Sequence, residues 1–109
     1  MNKVKLIKLV HHHFASISNQ DIFMEIDLKL PFIPTKEIYF SDSKCNISEL
    51  AEEIIYRIDT KEFNVYVSED KELYNATLHN KNIDIDKRFA EIIKEYERAG
   101  WKKRKKENK

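Results

Sequence analysis

Between Ile22 and Leu30 the chain alternates without a break. Ile22, Met24, Ile26, Leu28 and Leu30 fall on one parity, with Glu25, Asp27 and Lys29 on the other. A period of two puts one set on each face of an extended strand, which is the pattern of a half-buried strand and excludes a helix over these nine positions. Such a strand needs a neighbour for its backbone groups. Lys3 to Phe14 supplies the nearest one, although its alternation is imperfect. Val4, Leu6, Val10 and Phe14 share a parity, whereas Ile7 and Leu9 take the other, so a bulge or burial on both faces near Ile7-Lys8 is required. Ser16 to Asp21 is polar and rich in turn formers, and the two strands are expected to pair as a hairpin.

Pro31 and Pro34 end the second strand, and Glu37 to Phe40 reads as a short third one. A helix is expected next. Asn46 and Glu49 have the spacing of a capping box, and Ile47, Leu50, Ala51, Ile54 and Ile58 follow at helical intervals. Phe63, Val65 and Val67 alternate with Asn64, Tyr66 and Ser68 as a fourth strand, and Leu73 to Leu78 reads as a fifth that returns beside it. A final helix beginning near Asp84 or Asp86 carries Ile85, Phe89, Ile92, Ile93 and Tyr96 on one stripe. Gly100 stands where a left-handed residue ends a helix, and Trp101 would then lie over Tyr96.

The expected class is α+β. About five mainly antiparallel strands and two helices run in the order βββ-α-ββ-α, as an open curved sheet or a small barrel of the PUA-like kind. With 109 residues the chain has room for one core, expected over 1–101, followed by a basic tail at 102–109 that is expected to be disordered. That tail holds six basic residues and one acid, whereas the preceding 101 residues carry 14 basic and 18 acidic ones. A mildly acidic body therefore wears a basic end. No apolar run is long enough for a membrane helix, and lysines interrupt the first residues in a way that a signal peptide does not, so a soluble, cytoplasmic protein is expected.

Chemistry-bearing motifs are few. Cys45 is the only cysteine, which excludes an intrachain disulfide and a multi-thiolate zinc site. Gly100 is the only glycine, which removes the P-loop and the dinucleotide fingerprint. In His11-His12-His13, the first and third imidazoles share one face of a strand and could hold a metal, but no third ligand is supplied by spacing. Cys45 beside Lys44 at an expected helix start has one argument for a reactive thiol, with no signature around it. Neither feature defines an enzyme, a cofactor or a small-molecule substrate.

The tail carries the leading expectation. Trp101, Lys102, Lys103, Arg104, Lys105 and Lys106 set an aromatic beside a dense run of cations, which suits phosphates and an unpaired base. The function read from this is a small non-enzymatic regulatory or accessory protein that binds RNA or single-stranded nucleic acid. The next reading is a protein-interaction module or inhibitor, homodimeric or with another protein, built on strand aromatics such as Tyr39, Tyr66 and Tyr74 and on Phe32 and Ile33. A metal-dependent enzyme using His11 and His13 comes third, and no membrane partner is expected.

Overall fold

The computed structural model describes residues 1–10, 22–73, 75 and 84–104. Strands dominate it. In chain order they are β1 (Asn2–Val10), β2 (Ile22–Leu30), β3 (Tyr39–Asp42), β4 (Ile47–Arg57), β5 (Glu62–Val67) and, after helix α1 (Ile85–Arg98), β6 (Lys102–Lys103). They form one sheet in the order β3-β4-β5-β1-β2-β6, curled into a half-barrel whose two edge strands do not pair with each other.

β1 and β2 pair antiparallel over nine positions, from Asn2 opposite Leu30 to Val10 opposite Ile22. That unbroken register resolves the mixed parity of β1 by burial on both faces. Val4, Leu6 and Val10 enter the main core, while Ile7 is buried on the opposite side outside that cluster. On its other flank β1 pairs in parallel with β5, Lys3 opposite Glu62 through Ile7 opposite Tyr66. The core face collects Met24 and Ile26 of β2, Val65 and Val67 of β5, and Ile47 and Ala51 of β4.

The stripe of α1 closes this core through Phe89, Ile92, Ile93 and Tyr96. Asp84 caps its N-terminus, its carboxylate accepting from the Lys87 amide at 3.1 Å. At the other end Gly100 has φ +103°, the Trp101 amide donates to the Tyr96 carbonyl at 3.0 Å, and the Gly100 amide donates to the Glu97 carbonyl at 3.2 Å. These are the two bonds of a Schellman ending, and the Tyr96 and Trp101 rings meet edge to face at 5.5 Å.

The βββ-α-ββ-α order with two helices is corrected by β4. The segment expected to be the first helix is an 11-residue strand, paired antiparallel with β3 and β5. Asn46 does not cap a helix; it adopts φ +52° in the turn between β3 and β4, a conformation asparagine tolerates better than most residues. The physical cause of the misreading is a β-bulge between Ala51 and Glu53. Before it, Ile47, Glu49 and Ala51 point inward, and after it the inward parity changes so that Ile54 packs on the core. A strand with one bulge thereby reproduces the spacing i, i+4, i+7 that mimics a helical face. Ile58, the last residue of the supposed stripe, is 82% exposed.

Two smaller corrections follow. β3 starts at Tyr39 and runs to Asp42, two residues later than expected, after Glu37 turns at φ +68°. Leu73 does not start a fifth strand; Glu72 and Leu73 are helical, and β5 takes β1 and β4 as partners. The remainder of the expected strand up to Leu78 lies outside the described residues, apart from Asn75, which is also helical. Among the described residues, no helix is long and apolar enough to cross a membrane.

Candidate functional site

Two polar clusters occupy opposite faces of the sheet. On the core face, Lys8 shares the inward parity of Val4, Leu6 and Val10, and Glu49 shares that of Ile47 and Ala51. β5 separates their strands, so the Lys8–Glu49 ion pair reaches across the concave surface. Asp70 joins from beyond β5, where its amide donates to the Leu9 carbonyl at 2.9 Å and extends the β1 ladder. Its carboxylate accepts from the Tyr96 hydroxyl and stands 4.0 Å from the Lys8 ammonium, which itself sits 5.2 Å from the centre of the Tyr96 ring.

All three charged side chains are nearly closed to solvent, at 9% exposure for Lys8, 5% for Glu49 and 8% for Asp70. Burial raises the Glu49 pKa above its ordinary value, with the hydrogen bond and charge of Lys8 opposing the rise. Burial also raises the Tyr96 pKa, reinforced by its bond to Asp70, so the phenol stays protonated and donates. The quartet ties β1, β4, the segment after β5 and α1 together. It stabilises the fold only as a satisfied set, since any one member left alone would be a buried uncompensated group.

The second cluster lies on the outer face, on the polar parity of β1, β2 and β5. Lys5, Glu25 and Asn64 meet there with Glu62, Arg57, Thr60, Lys102 and Arg104 around a cleft of about 440 Å³. The register explains the assembly. Lys5 stands opposite Asp27 on β2 and opposite Asn64 on β5, and Lys102 stands opposite Glu25. Glu25 is the hub, with Lys5 at 3.8 Å and Lys102 and Arg104 each at 3.9 Å. These separations are longer than hydrogen bonds, so the cations are attracted to the carboxylate without being saturated by it.

Lys5, Arg57, Lys102 and Arg104 face the cleft with Glu25 and Glu62, the latter 3.7 Å from Lys5, whereas Lys103 opposes Met24 and points to the core side. Asp27 at the rim draws on Lys5 and Lys102 at 3.8 and 3.6 Å, and Asp59 takes two hydrogen bonds from Arg57 at 3.1 and 2.8 Å, which lowers its pKa. Two atoms remain unserved. Asn64 Oδ1 and Arg104 Nη1 are both closed to solvent and have no hydrogen-bond partner.

The basic run thus divides at Trp101. Lys102 and Lys103 form β6 against Glu25 and Met24, and the Arg104 amide donates to the Phe23 carbonyl at 2.7 Å, so this part of the expected tail is an edge strand. Lys105 and Lys106 lie outside the described residues. Trp101 is 2% exposed and its indole N–H donates to the Cys45 carbonyl at 2.7 Å, which makes it a core residue. The aromatic that accompanies the cations is instead Phe23, on the polar parity of β2 and 40% exposed.

His11 and His13 lie outside the described residues, and among the described residues no group of three metal-ligating side chains comes together. Cys45 is half-buried with a free thiol. Sequence reading passed over Lys5, Glu25 and Asn64 because each is an ordinary polar residue on an alternating strand. The available signal was their shared parity, which acquires meaning only once β1, β2 and β5 are known to be neighbours. Compared with family models, with curated proteins and with solved structures, the chain finds no match.

Proposed function

We propose that this chain is a non-enzymatic accessory or regulatory protein that binds single-stranded nucleic acid in the outer-face cleft, and that it works by blocking or recruiting. The observation that carries the reading is the junction of the basic run with the sheet: Lys102 and Arg104 share one cleft with Lys5 and Arg57. Phosphates engaging these side chains release condensed counterions, so affinity falls with salt by a slope of about 0.7 per phosphate on a single strand. Phe23 is the exposed ring beside Arg104 on which a base can stack, a contact worth about 1–3 kcal/mol.

The test is fluorescence anisotropy of labelled eight-nucleotide strands against the full chain and against Lys102→Gln/Arg104→Gln. Truncation at Trp101 is the poorer variant, because it removes an edge strand together with the charge. The double substitution is expected to weaken binding and to flatten the salt slope by about one. Negligible binding by the full chain at low salt, or an unchanged slope, rejects the reading.

A second reading has its own observation. Tyr39 and Leu50 face each other across β3 and β4 and are both exposed, and among the described residues β3 is the edge of the sheet. A protein partner or a second copy of the chain would use that end of the sheet. Concentration-dependent light scattering that is abolished by Tyr39→Ser/Leu50→Ser supports it, and a monomer at every concentration with no captured protein argues against it.

A further inference from the structure

Asn64 is 3% exposed, lines the cleft, and holds a carbonyl oxygen with no donor. A buried acceptor left in that state costs about 1–3 kcal/mol, so a strand residue that carries one at the floor of a cleft invites a donor from a ligand. Phosphate oxygens only accept. Cations alone would therefore serve the anionic part of a ligand and leave Asn64 unanswered. The missing partner is a hydrogen-bond donor attached close to a phosphate.

We propose that Asn64 selects ribose over deoxyribose, its Oδ1 accepting from a 2′-hydroxyl while the neighbouring cations hold the adjoining phosphate. This rests on the nucleic-acid reading above and names the substrate class of the same cleft, RNA. On a strand whose phosphate sits on Lys5 and Arg104, the 2′-hydroxyl is the donor nearest that phosphate, and it is the group that distinguishes RNA from DNA. Lys5 is the register neighbour of Asn64 and is 20% exposed at its side chain. A 2′-hydroxyl reaches the shielded oxygen only once a neighbouring side chain moves aside. Arg104 Nη1, the second atom without a hydrogen-bond partner, is a donor 3.9 Å from Glu25 and suits a phosphate oxygen.

The experiment compares oligo-uridine with oligo-deoxyuridine of equal length, so that the base is constant, on the full chain and on Asn64→Leu. The native protein is expected to favour the ribose strand by about three- to tenfold, the equivalent of one hydrogen bond. Asn64→Leu keeps the four-atom branched outline with somewhat larger groups, removes the acceptor, and is expected to bind both strands with the deoxyribose affinity and an unchanged salt slope. Asn64→Ala serves as a second variant should leucine disturb the sheet, with circular dichroism confirming the fold of each. Equal affinity of the native chain for both strands overturns the role of Asn64 and leaves the cleft as a general single-strand site; a ribose preference that survives both substitutions overturns that role too. Binding of neither strand overturns the underlying reading as well.

Discussion

Replacing Lys8 by methionine isolates the ionic cluster of the core. The substitution keeps a long unbranched side chain while leaving Glu49 and Asp70, 5% and 8% exposed, without their cation. Removing one partner from a buried pair costs about 3–5 kcal/mol. Two features pull the value here to the lower end: Asp70 keeps the Tyr96 hydroxyl, and Glu49, whose pKa burial already raises, can take up a proton. We expect a loss of about 3 kcal/mol, a large part of the 5–15 kcal/mol typical of a domain. With a urea slope of about 1.5 kcal/mol per molar, the midpoint falls by about 2 M. In Lys8→Met/Glu49→Leu the orphaned carboxylate is gone as well, so the double variant should be more stable than Lys8→Met alone, with a coupling of at least about 1 kcal/mol in the cycle. A Lys8→Met variant within about 0.5 kcal/mol of the native protein, or strict additivity, refutes a coupled buried cluster.

Glu49 gives the cluster a pH dependence. Because its folded pKa is raised from the ordinary 4.5, its contribution to stability is fully present below that value and is lost as pH rises through the folded pKa. Denaturant melts from about pH 4 to about pH 8 should show the native protein losing stability relative to Glu49→Gln as pH rises, and a pH-independent difference contradicts the assignment. Gly100→Ala should cost about 1–2 kcal/mol and lower Tm by several degrees through its positive φ alone, since the added Cβ meets Ile26 Cδ1 at an ordinary 3.7 Å. An unchanged Tm would mean that the Schellman ending does not need this glycine. Trp101, the sole tryptophan, should emit at short wavelength and remain insensitive to an aqueous quencher when folded. Strong quenching by bound oligonucleotide would contradict its burial and restore a stacking role.

The elements legible in the sequence were those in which one chemical signal had one meaning. β2 alternates strictly, the stripe of α1 contains no charge, and the Gly100-Trp101 step allows one kind of helix ending. β4 was misread because each of its signals has two meanings. Asn46 suits a helix cap and equally a left-handed turn, Glu49 suits a capping box and is in fact a buried partner of Lys8, and the bulge before Glu53 breaks the alternation that would have identified a strand. A charged residue on the inward parity conceals a period of two, since its burial depends on a partner 41 positions away. The cleft was half legible. Its cations at Lys102 and Arg104 stood out as part of a run, whereas their attachment to β2 and the company of Lys5 and Asn64 arise from strand pairing between distant segments.

Chemical-shift mapping of the isotope-labelled full chain with oligo-uridine tests the cleft most directly. Perturbations confined to the outer face, at Lys5, Glu25, Asn64, Lys102 and Arg104 with Phe23 beside them, are the predicted result. Perturbations centred on Tyr39 and Leu50, or none at low salt, would contradict nucleic-acid binding in the cleft.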